Sequence, residues 1–201
     1  MSITLDYFDI RGFGEYIRLL LADQKIQFTD HQFGRDSKTW EDLKKTMPFG
    51  QVPCLTIGNE KFVQTGAIMR HLGRLYNLYG SSLSEAVHID TMFECVRDFR
   101  MKYVRYIYYD EETKEQYDTV TLPDGLGKLS KLLTGNYVGG DKISFADYIL
   151  FEELDVSNTT CPGSLEKFEN LRNFHKRMLE RPNLKAYFPT RNSRINVVDK
   201  F

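Results

Sequence analysis

The chain changes character once along its length. Through residue 76 strand-like and helix-like patterns alternate, and beyond residue 85 no convincing alternating strand remains. Residues 3–8 alternate, with Ile3, Leu5 and Tyr7 on one face of a strand. Gly12 and Gly14 interrupt the pattern, and residues 15–23 then read as a helix with Ile17, Leu20 and Leu21 turned inward. A second strand fits 27–33. The segment 35–47, which contains Trp40, is polar and reads as irregular. Residues 55–57 and 61–63 flank Gly58-Asn59, a pair suited to the positive φ of a tight hairpin turn. A helix follows over 65–76.

The order is therefore β-α-β, a loop, then β-β-α. That is the thioredoxin-like arrangement, in which a β-α-β unit and a hairpin plus helix share one four-stranded mixed sheet. Beyond a Gly/Ser-bearing stretch, helices are expected over 85–109, 122–133, 144–155, 165–180 and 183–188. Ser144 and Asp147 have capping-box spacing, and Ile143 is placed to staple onto Tyr148. The expected fold is a two-domain α+β protein. Residues 1–77 form the thioredoxin-like domain, 78–84 a linker, and 85–201 an all-helical domain.

Bulk properties exclude several function classes. A formal net charge of -1 over 201 residues does not advertise nucleic acid or anionic membrane as a partner. No apolar run approaches the roughly 20 residues of a membrane span. The opening MSITLDYFDI lacks a basic n-region and a long apolar core, so no signal peptide is expected. Cys54, Cys95 and Cys161 are widely spaced and odd in number, which points to a reducing, cytoplasmic setting. His31, His71, His88 and His175 are scattered, and no metal site is expected.

Gly12-Phe13-Gly14 lies between a strand and a helix, but the third glycine of a dinucleotide fingerprint is replaced by Ile17, so a plain turn is the better reading. Tyr7 ends the first strand, and ligands gather at the carboxyl ends of strands in open α/β sheets. A phenol there either packs with a satisfied hydroxyl or donates a hydrogen bond to an anionic sulfur. Val52-Pro53 stands before the apolar run Cys54-Leu55-Thr56-Ile57. With a cis bond at that point, Val52 would offer an unpaired edge to a peptide-like ligand. Gln64-Thr65 opens a helix and either caps it or, with the helix N–H groups, receives a carboxylate. A peptide edge, an anion pocket and a thiol-facing phenol together fit glutathione.

The motifs YFDIRG, FGQVPCL, QTGAIMRHLGRLYNLYG and GDKISFADY, with DFRMKYVRYIY, make the chain resemble the cytosolic glutathione transferases, the pi class in particular and the sigma class second. The resemblance implies catalysis by Tyr7, which would stabilise the glutathione thiolate. It implies Trp40 and Lys44 on the glycyl carboxylate, Gln51, Val52 and Pro53 along the peptide, Gln64 and Thr65 at the γ-glutamyl end, and Asp98 reaching the glutamyl amine of a dimer partner. Phe8, Ile10 and Tyr108 would line the electrophile pocket. Phe49, Arg70, Arg74, Asp90 and Glu94 would lie at a homodimer interface. Phe13 stands where many members carry a basic residue, and Arg97 where an acidic one is usual. The implied activity is conjugation of glutathione, as co-substrate, to hydrophobic electrophiles in detoxification, with no tightly bound cofactor. The alternatives are a glutathione-dependent isomerase of the prostaglandin D synthase type and a non-catalytic carrier.

Overall fold

The computed structural model describes residues 2–109 and 111–196. In chain order its elements are β1 (Ile3–Phe8), α1 (Glu15–Asp23), β2 (Thr29–Phe33), α2 (Lys38–Lys44), β3 (Cys54–Ile57), β4 (Glu60–Val63), α3 (Thr65–Leu75), α4 (Leu83–Tyr109), α5 (Lys114–Gln116), α6 (Leu122–Leu132), α7 (Phe145–Thr160), α8 (Glu169–Leu179) and α9 (Pro182–Tyr187). They form two compact units. The first holds the residues up to Tyr76 with the described residues from Arg181 on, and the second holds Asn77–Glu180.

In the first unit the strand order is β2-β1-β3-β4. The central β1 pairs parallel with β2, from Thr4↔Thr29 to Phe8↔Phe33, and antiparallel with β3, from Ile3↔Ile57 to Asp6↔Cys54. The β1–β3 ladder therefore stops before Tyr7, whose next neighbour in that register is Pro53. Gly58 turns the β3–β4 hairpin at φ 60°, as its lack of a Cβ permits. Helix α1 is buried on nearly every side, and it packs against α3 and α9. Its apolar residues Ile17, Leu19, Leu20 and Leu21 form much of this core.

Two expectations need correction here. Residues 35–47 are not irregular throughout: α2 occupies Lys38–Lys44, capped by the Ser37 hydroxyl, which accepts from the Trp40 N–H. No residue of α2 is buried, so no apolar stripe announces it. Second, the helical domain does not run to the end of the described chain. The segment from Arg181 packs with the first unit because polar pairs tie it there: Arg181 to Asp23, Arg191 and Tyr187 to Glu15, and the Asn183 side chain to the Asp23 carbonyl.

The second unit is built on α4 against α7. Phe93, Phe145, Phe151, Leu154 and Phe174 are fully buried in it, and Arg100 of α4 pairs with Glu153 of α7 at 3.3 Å. The Ser144–Asp147 capping box is formed at the start of α7. Between α5 and α6 the chain takes a π-helical turn, Tyr117–Thr121, which buries Tyr117 against Tyr106.

Candidate active site

Three segments of the first unit meet at the carboxyl end of β1. Tyr7 belongs to β1 and is buried, with 4% of its surface exposed. Its hydroxyl oxygen accepts the Phe13 N–H at 2.9 Å. Two donors cannot face one another, so the phenolic hydrogen is directed away from that amide. The Gly12-Phe13-Gly14 turn is the seat of this ring. A Cβ on Gly12 would stand 2.6 Å from the Tyr7 oxygen, and one on Gly14 would stand 2.5 Å from Cδ1. The glycine spacing alone reads as a turn; what it does is let the backbone touch the phenol on two sides.

Arg18 supports the same loop from below. It is buried, ion-paired with Asp30 at 2.9 Å and Glu15 at 3.3 Å, and donates to the carbonyls of Ile10 and Arg11. Burial opposes its charge, but Asp30 and Glu15 outweigh it and hold its pKa above the ordinary arginine value. Its guanidinium carbon lies 5.7 Å from the Tyr7 ring centroid. Its charge is matched by the Asp30 and Glu15 carboxylates, so its part is to order the loop under the phenol.

The second segment is Gln51-Val52-Pro53. The Val52-Pro53 peptide bond is cis, and β3 begins only at Cys54, so Val52 takes no part in the sheet register. The third is Gln64-Thr65, directly after β4. Gln64 has φ 68° and ψ 111°, a conformation rarely adopted by a residue with a side chain. It is not a plain cap: its side chain makes no capping bond to α3 and instead donates to Gln51 Oε1 at 3.2 Å. The first turn of α3 carries no acidic residue, so the positive end of its dipole is unneutralised. The Val52 backbone, helix terminus and phenol thus share one end of the sheet.

Trp40 stacks on Phe33, with ring centroids 5.8 Å apart, and stands edge-on to Phe8 at 5.2 Å. Lys44, exposed at the last position of α2, makes no ion pair or hydrogen bond among the described residues.

Two family descriptions match: "Glutathione S-transferase, N-terminal domain" over residues 3–74 and "Glutathione S-transferase, C-terminal domain" over 97–191. A curated relative, "Glutathione S-transferase P 10" of Caenorhabditis elegans, is 52% identical across 98% of this chain and 96% of its own. The chain belongs to the glutathione S-transferase family. Among solved structures, the Pi-class glutathione S-transferase of Onchocerca volvulus aligns with a TM-score of 0.92 at 46% identity, covering 98% of each chain. The prostaglandin synthase D of Nilaparvata lugens aligns with a TM-score of 0.83 at 29% identity, covering 95% of this chain and 99% of that one.

The other transferase positions fall as follows. Phe8 is half-buried and Ile10 is buried, both on the loop side of Tyr7. In the second unit the tyrosine-rich end of α4 sorts by burial. Tyr103 and Tyr106 are core residues that ring Tyr117, whereas Tyr108 is half-exposed and Tyr109 largely exposed. Asp98 is exposed on α4. Phe49 is 85% exposed and has φ 59°, an unusual state for an aromatic residue. Arg70 and Arg74 lie on α3. Asp90 accepts from the Tyr79 hydroxyl at 2.7 Å, and Glu94 pairs with Arg97 at 3.3 Å, so both acids already have partners within the chain. Residue patterns do not reveal Arg18, the Phe13 amide or the two glycines as parts of the site. The one available signal is an arginine set among the apolar residues of α1.

Proposed function

We propose that this transferase binds glutathione at the carboxyl end of β1 and that Tyr7 donates its hydroxyl hydrogen to the glutathione sulfur, holding it as a thiolate that attacks hydrophobic electrophiles. The observation that carries the reading is the Tyr7 hydroxyl, which accepts the Phe13 N–H and so has its own hydrogen turned away from that amide. Its neighbours are the Val52 backbone, just outside the β3 ladders, and an uncapped helix terminus at Thr65. That backbone pairs with the cysteinyl peptide, and the terminus with Gln64 takes the γ-glutamyl carboxylate. Trp40 and Lys44 hold the glycyl carboxylate, and Asp98 reaches the glutamyl amine across the interface of a dimer. Phe8 and Ile10 contact the electrophile.

The magnitudes suffice. Lowering a bound thiol by two pKa units requires about 2.7 kcal/mol of preference for the anion. A hydrogen bond to a charged group supplies about 1.5–3 kcal/mol. The working form in this proposal is a cytoplasmic homodimer, with Phe49, Arg70 and Arg74 at the interface. Three free cysteines, and no helix among the described residues long and apolar enough to cross a membrane, agree with that setting. A second activity, glutathione-dependent isomerisation, draws support from the likeness to the Nilaparvata lugens prostaglandin synthase. The test is Tyr7→Phe, assayed with chlorodinitrobenzene. Turnover falls at least tenfold while glutathione binding stays within about twofold; unchanged turnover removes Tyr7 from the mechanism.

A further inference from the structure

Beyond Phe8 the chain leaves the sheet ladder, and the loop from Asp9 to Arg11 must be held by something else. Part of the support is local. The Asp9 N–H donates to the Phe33 carbonyl at 3.0 Å, and the Ile10 N–H folds back on the Phe8 carbonyl at 2.7 Å. Further support comes from the buried Arg18, which donates to the Ile10 and Arg11 carbonyls, and the rest from the far end of the chain. The segment after α9 is pinned by Arg191, whose Nε donates to the buried Glu15 at 2.7 Å. It then crosses the loop. The Arg11 N–H donates to the Arg194 carbonyl at 2.7 Å. Asn192 Nδ2 donates to Asp9 Oδ1 at 2.7 Å and to Gln32 Oε1 at 3.1 Å, and Arg194 Nη1 reaches Asp9 Oδ2 at 3.3 Å. The Asn192 side chain also accepts the Arg194 N–H, which fixes the bend of the segment itself.

We infer that Asp9, Asn192 and Arg194 are positioning residues, a clamp through which the C-terminal segment sets the place of Ile10 and so the range of electrophiles accepted. The inference rests on the transferase reading above. It concerns the electrophile and not glutathione for a structural reason. Tyr7 is fixed by the β2 register and by the Gly12–Gly14 seat, while Ile10 lies outside every ladder, its carbonyl held by Arg18 and its N–H only by a turn back to Phe8. Loss of the clamp therefore moves Ile10 before it moves the phenol. Within the clamp, the Asn192 contact matters more than the ionic one. The Arg194–Asp9 pair is about half exposed on both sides (51% and 49%), so water and salt screen it.

The test compares Asp9→Ala, Asn192→Ala, Arg194→Gln and Arg194→Lys in the full chain, using chlorodinitrobenzene and the bulkier chlorodinitronaphthalene. The expected result is a change of about 3- to 10-fold in the ratio of kcat/KM for the two electrophiles in Asp9→Ala, the range for one or two lost hydrogen bonds. Asn192→Ala gives a smaller change of the same sign, and Arg194→Gln the smallest, which Arg194→Lys restores. The KM for glutathione and the pH profile stay as in the parent. Amide exchange at Ile10 and Arg11 accelerates in Asp9→Ala and Asn192→Ala. An unchanged ratio, or a loss shared equally by both electrophiles and glutathione alongside a lower Tm, overturns the clamp. If the parent protein conjugates neither electrophile, it is the transferase reading that fails, and amide exchange alone then decides the clamp: unaltered protection in Asp9→Ala refutes it.

Discussion

Replacing Gly12 with alanine tests the seat of the phenol directly. Gly12 has φ 44°, in the left-handed region, where a Cβ costs about 1–2 kcal/mol. The added methyl would stand 2.6 Å from the Tyr7 oxygen, 3.0 Å from Cε1 and 3.2 Å from Ile10 Cδ1. Ordinary contact begins near 3.5 Å, so the tip of the ring must retreat by about 1 Å. A retreat of that size carries the 2.9 Å bond from the Phe13 amide out of range. If that geometry is what aims the hydroxyl at sulfur, the loss is about 1.5–3 kcal/mol of thiolate stabilisation, or about 10- to 150-fold in rate. Overpacking adds about 1–3 kcal/mol of destabilisation, so the total of roughly 2–5 kcal/mol leaves a typical domain folded. The assay is kcat/KM with chlorodinitrobenzene, beside urea unfolding and calorimetric glutathione binding. Gly127→Ala is the control. It lies within α6, and the nearest atom to its Cβ is 3.7 Å away, so it should keep full activity and gain about 0.5–1 kcal/mol. Full turnover in folded Gly12→Ala would show that the seat does not set the chemistry.

Other perturbations read other parts of the account. Gln64→Gly relieves a strained backbone worth about 1–3 kcal/mol, so Tm should rise by a few degrees while glutathione affinity falls about tenfold; a fall in both would mean that the conformation is not strained. Phe49→Ala, at an exposed aromatic with φ 59°, should shift sedimentation from dimer to monomer, and an unaltered dimer would place the interface elsewhere. Burial raises the pKa of Cys54, with Asp6 adding to it, and burial likewise raises Cys95 and Cys161. These thiols therefore stay protonated at neutral pH, and alkylation of the native protein should be slow and should quicken as pH rises. Labelling of Cys54 at the rate of a free thiol would contradict its burial.

Legibility in the sequence followed the physics of each element. Strand β1 and the hairpin announce themselves by alternation and by Gly58-Asn59, and α1 by its apolar spacing. Helix α2 does not, because none of its residues is buried and its only cue is the Ser37 cap. The return of the C-terminal segment to the first unit was equally hidden. Polar pairs such as Arg181–Asp23 and Arg191–Glu15 join positions far apart in the chain, and no periodicity encodes them. In the site, Tyr7, the Val52-Pro53 bend and Gln64-Thr65 stand out by residue type and position. The positive φ of Gln64 does not, since glycine or asparagine would be the usual sign of it. Among the tyrosines of α4, only burial separates Tyr103 and Tyr106 from Tyr108.

The central claim is that one phenol keeps the glutathione sulfur ionised. Its most direct test is a spectroscopic titration of the bound thiol in the parent protein and in Tyr7→Phe. Thiolate absorbance is expected at neutral pH in the parent, its midpoint about two units below that of free glutathione, with a return toward the free value in the variant. A sulfur still protonated near neutrality in the parent, or one equally ionised without the Tyr7 hydroxyl, would contradict it.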